Sequence, residues 1–159
     1  MLVPLTDEQM TALEKRRAEL TMWAVDSVTI ADDLIRMTCK ADPAPFLANY
    51  DLFLPAIDEL AGNVTISSEQ MQRMRTPLFC FVAEYLVRML GGTWTVDDVE
   101  GSQYFAQYMI DVPLGSGPDL LRLSPYHLAQ GYLMAPAPRS LTTALRAIVK
   151  RVRGDADMN

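Results

Sequence analysis

Apolar residues recur with a helical period through the first half of the chain, and with a period of two only after Trp94. The densest apolar stretch runs from Thr76 to Trp94. Thr76 and Pro77 read as a cap and a first helical residue. Glu84 and Arg88 lie one turn apart on a common face, acid first. Gly91 supplies a left-handed stop, and Thr93–Val96 has strand composition. The pattern predicts a buried central helix that turns directly into a strand. At the start of the chain, Thr6 and Gln9 form a capping box. Met10, Leu13, Leu20, Trp23 and Ala24 then make an apolar stripe, with Glu14, Lys15, Arg16 and Arg17 toward solvent. The stripe continues through Ala31, Leu34 and Ile35 to Cys39, as one long helix or as two broken near Asp26 and Ser27, whose side chains compete for backbone hydrogen bonds.

Asp42-Pro43 reads as a turn, and Pro55 as a kink or the start of a helical turn that ends at Gly62. Ser67 and Gln70 repeat the capping box, and Pro77 demands a kink or a restart further on. Tyr104, Ala106, Tyr108 and Ile110 alternate with Phe105, Gln107, Met109 and Asp111, which predicts a strand entered by a turn at Glu100-Gly101-Ser102. The Gly- and Pro-rich segment 112–118 is a loop, and 119–123 a short strand. Ser124-Pro125 and Ser140 open two closing helices. The expected fold class is α+β: a helix-rich N-terminal half, a small antiparallel sheet of about three strands, and two C-terminal helices. The central helix should lie across the sheet. Residues 1–154 read as a single domain and 155–159 as a frayed tail.

Charge narrows the partners. Twenty acidic residues against fourteen Lys and Arg give a net charge of −6. Nucleic-acid backbones need clustered cations, so no nucleic-acid partner is expected, whereas a basic protein surface fits. No segment reaches the ~20 apolar residues of a membrane span, and the N-terminus lacks the basic and apolar regions of a signal peptide. The expectation is a cytoplasmic protein that does not engage membranes.

Candidate chemistry is sparse. The chain has one histidine, His127, and two cysteines, Cys39 and Cys80, in apolar helical contexts. A Cys80–His127 dyad would need an exposed, activated thiolate, and the apolar run around Cys80 argues for an inert one. Asp97, Asp98 and Glu100 cluster near a turn, where oxygen ligands could hold a hard cation, but they match no EF-hand spacing. Gly91-Gly92 follows a helix rather than preceding one, so it is a stop and not a phosphate cradle. The reading is therefore no catalytic residue, no metal site and no cofactor. Ten methionines and a cluster of tyrosines in the second half suit core filling or an adaptable contact surface.

The succession Glu84-Tyr85-Leu86, Gly91-Gly92-Thr93-Trp94, an alternating strand, a short strand entering Ser124-Pro125-Tyr126 and a closing helix resembles small acidic bacterial α+β proteins of uncharacterised families. Some of these sit beside secreted toxins and are similar to immunity proteins in size and acidity. The resemblance covers 77–152 and carries over no functional residue. With the lack of a catalytic motif and the acidity, the expectation is a non-enzymatic protein-binding protein, such as an immunity-type inhibitor that occludes a basic toxin or effector. On the residues themselves, Asp97, Asp98, Glu100, Tyr104 and Tyr108 form the expected interface. A structural or adaptor subunit, including a homodimer, and an enzyme with a dispersed site are the alternatives.

Overall fold

The computed structural model describes residues 4–39 and 42–157, with side chains as far as 154. Helix α1 (Asp7–Thr38) starts at the Thr6 capping box: the Gln9 amide donates to Thr6 Oγ1 over 3.1 Å, and the Thr6 amide to Gln9 Oε1 over 2.8 Å. It runs unbroken through Asp26 and Ser27, because Ser27 is fully buried against the next layer while Asp26 points to solvent. Two 3-10 turns (Ala44–Phe46 and Tyr50–Phe53) lead into α2 (Leu54–Ala61), where Pro55 occupies the first turn, the one place a helix does not need its amide.

The central helix is longer than the sequence pattern suggests. Helix α3 (Ser68–Leu90) begins at the Ser67–Gln70 box and carries Pro77 inside it, so Thr76 and Pro77 are not its start. A proline there costs roughly 3 kcal/mol in an isolated helix. Tertiary burial offsets this, since every residue from Leu78 to Leu86 is buried. Glu84 is only 3% exposed, and burial pushes its carboxyl upward while Arg88, 3.3 Å away, works against that shift. Arg88 also donates to the Leu47 carbonyl over 2.5 Å and lies 4.6 Å above the Tyr50 ring. Tyr50 donates to Asp32 over 2.8 Å and stacks on Phe81, so this cluster ties both 3-10 turns to α1 and α3. Gly91 ends α3 with φ 67°, and Gly92 lets the chain turn hard against the sheet, where a Cβ would come within 2.5 Å of Ile110 Cγ2.

Strands β1 (Thr93–Val96), β2 (Tyr108–Pro113) and β3 (Leu120–Leu123) form an antiparallel meander in sequence order, with α3 packed against β2. The second strand starts four residues later than the alternation predicts. Asp97 accepts from the Val99 amide and the Ser102 hydroxyl, and Ser102 Oγ accepts from the Tyr104 amide. These local bonds hold 102–106 in turns, with Ala106 at φ 60°, at the expense of the ladder. Helices α4 (Pro125–Met134) and α5 (Leu141–Asp157) close the fold. Helix α5 continues through the expected fray to Asp157, and residues 158–159 lie outside the described residues. Among the described residues no helix is long and apolar enough to cross a membrane.

Helix α5 is capped from a distance. Asp58 of α2 accepts from the Leu141 amide (2.7 Å), the Thr142 amide (3.1 Å), the Thr142 hydroxyl (2.6 Å) and the Tyr132 hydroxyl (3.0 Å). Burial alone would raise the Asp58 carboxyl, but these donors outweigh it and hold it below its ordinary value. A depressed carboxylate stabilises the fold fully above the unfolded carboxylate range, near pH 4, and loses that contribution as pH falls through its folded value. Asp58→Ala should therefore lower unfolding free energy by about 2 kcal/mol at pH 7. Denaturant unfolding of both proteins from pH 7 down to pH 3 should show the gap shrinking in acid; a gap that widens would contradict this role.

Candidate functional site

Two of the acidic residues singled out from the sequence, Asp97 and Asp98, are held by arginines. Arg122 on β3 pairs in register with Asp111 on β2 and grips it with two bonds of 2.8 and 3.0 Å. Its remaining nitrogen lies 3.7 Å from both Asp97 and Asp98. Arg17 on α1 reaches Asp98 over 3.0 Å. Asp97 is 3% exposed, its oxygens already used by Val99, Ser102 and Arg122, so it is a structural acceptor and not an interface residue. Asp98 is half exposed, and Glu100 sits at the turn. Tyr104 and Tyr108 part company. Tyr104 meets His127 edge-on at 5.7 Å, in a shallow cleft of about 370 Å³ shared with Asp97 and Arg122. Tyr108 faces α1 on another side. The predicted five residues do not make one open face.

His127 is exposed, its amide donating to the Ser124 cap over 3.0 Å, and neither cysteine lines its cleft. Cys39 is half-buried, and Cys80 is fully buried. Burial pushes the Cys80 thiol up to about 11, against a smaller opposing pull from Ser27, which keeps it protonated at neutral pH. Among the described residues no group of three or more His, Cys, Asp or Glu is placed to hold a metal ion.

A groove of about 780 Å³ lies where α1 crosses the sheet. One wall is a single face of α1: Arg16, Glu19, Trp23 and Asp26, with Met22 on the rim. The opposite wall carries Phe79 of α3, Gln107 and Tyr108 at the head of β2, and Tyr126 of α4. Trp23 stacks on Tyr108 with centroids 5.5 Å apart and planes 9° from parallel. It meets Phe79 at 5.6 Å, and Phe79 meets Tyr126 at 6.3 Å. Arg16 lies 5.5 Å above the Tyr108 ring, and Arg75 5.9 Å above that of Tyr126. Glu19 and Asp26 are exposed and make no ion pair among the described residues. Trp23 Nε1 is buried without a hydrogen-bond partner among them. Ring faces backed by carboxylates accept apolar or cationic groups.

Sequence reasoning placed Trp23 in the core stripe and so missed this groove. The signal was present: Arg16, Glu19, Trp23 and Asp26 share one helical face, and a face mixing a tryptophan with three charges is not a core face. Its other wall comes from three distant elements, which no local pattern reveals. No family model, curated protein or solved structure matches this chain.

The arginine network makes a stability prediction. Arg122→Ala should cost about 2 kcal/mol, because it leaves the buried carboxylates of Asp111 and Asp97 without their cation. Glu100→Gln should stay within about 0.5 kcal/mol of the parent. Urea denaturation distinguishes them, and equal small losses would contradict the internal role assigned to these acids.

Proposed function

We propose that this protein is a non-enzymatic protein-binding module that receives its partner in the aromatic groove between α1 and the head of β2. One observation carries the reading: four aromatic side chains from four elements converge on one open concavity whose rim bears Met22, 72% exposed. Trp, Tyr, Arg and Met are the residue types enriched at protein interfaces, and aromatic anchors dominate their energetics. The resemblance of 77–152 to small acidic bacterial α+β proteins, some similar to immunity proteins in size and acidity, suggests the mode of action, occlusion of an effector by simple cover. The net charge of −6 suits a basic partner and would speed its capture.

Paired variants test the location. Met22→Arg with Gln107→Arg alters the groove mouth at exposed positions, and Asp98→Asn with Glu100→Gln alters the hairpin face. Each tagged protein is used to capture binders from its native cells. A partner held by the parent and the hairpin variant, and weakened about tenfold or more by the groove variant, supports the reading. A partner indifferent to the groove variant but lost by the hairpin variant would return recognition to the sheet face.

A further inference from the structure

The groove's own furnishings specify what enters it. Four rings supply negative faces. The chain itself shows what those faces accept, since the guanidinium of Arg16 rests on Tyr108 and that of Arg75 on Tyr126. Neither arginine makes an ion pair among the described residues. Glu19 and Asp26 stand on the α1 wall, two turns apart on the face that looks into the groove. They lie in mid-helix, where the helix dipole gives no reason for acids.

From this arrangement we infer that the groove takes a cationic side chain, Arg or Lys, presented by the partner protein. The incoming cation lies over the Tyr108 face, displaces Arg16 from it, and is paired by Glu19 and Asp26. Arg16 thus acts as an internal stand-in that the partner competes away. An anionic occupant would instead need Arg16 as its ligand, so the two chemistries assign this residue opposite effects. The inference rests on the groove being the docking surface, and it adds the charge of the anchor.

The test uses the whole protein labelled with ¹⁵N and four five-residue peptides of alternating glycine and a guest residue. The guests are arginine, lysine, glutamate and citrulline, the last a neutral isostere of arginine. Binding is followed at the two indole N–H signals, those of Trp23 and Trp94. The arginine and lysine peptides should shift the Trp23 signal in a saturable way, with little response to glutamate or citrulline. Glu19→Gln with Asp26→Asn, both at exposed positions, should weaken the arginine peptide about fivefold or more. Arg16→Ala should leave its affinity equal or higher. The inference is overturned if Arg16→Ala abolishes binding, if the glutamate or citrulline peptide binds as well as arginine, or if no peptide moves Trp23 at millimolar concentration. In each of those cases the groove variants with the native partner still decide separately whether the groove is the docking surface.

Discussion

A helix buried on every side is the constraint from which the rest of this structure follows. From Leu78 to Leu86 no residue of α3 reaches solvent appreciably, so the helix has no polar face to turn outward. Each large apolar side chain buried in full contributes roughly 1.5–3 kcal/mol, enough together to hold Pro77 inside a continuous helix. The cost appears at Glu84, a carboxylate in the apolar centre, raised by burial and held by Arg88. That same arginine spans to the Leu47 carbonyl and the Tyr50 ring, so this charge pair also pins the irregular segment before α2. Covering α3 takes α1 on one side, α4 on another, β2 across it and the second 3-10 turn beneath.

The groove is a by-product of that covering. Helix α1 packs on α3 and also crosses the sheet at Trp23 and Tyr108. Helix α1 runs for 32 residues beside a sheet whose strands twist. Where the two diverge, aromatic side chains fill part of the space and leave the rest open. The acids near the hairpin have the opposite fate. Asp97 and Asp111 are paired with Arg122 inside the molecule, while Asp98 is held by Arg17 and Arg122 at the surface.

Local chemistry was readable from the sequence, and long-range pairing was not. The capping boxes at Thr6 and Ser67, the caps at Ser124 and Ser140, and the left-handed stop at Gly91 each depend on side chains within a few residues. So does the order of helices and strands that makes the fold α+β. The late start of β2 was hidden because Asp97 and Ser102 hold the backbone in turns that alternation alone does not register. Pro77 misled because its helix draws its stability from neighbours absent from any local window. The candidate interface suffered most. Arg17 is 81 positions from Asp98, and Asp58 caps a helix more than 80 positions away, so the uses of these carboxylates emerge only when the chain is folded.

Native-state hydrogen exchange on α3 bears most directly on this account. If α3 is the rod on which every other element is laid, amides 78–90 should exchange only through global unfolding, with the free energy and denaturant dependence of the whole-molecule transition. Exchange of those amides through a smaller, separate opening, while α1 and α5 stay protected, would contradict it.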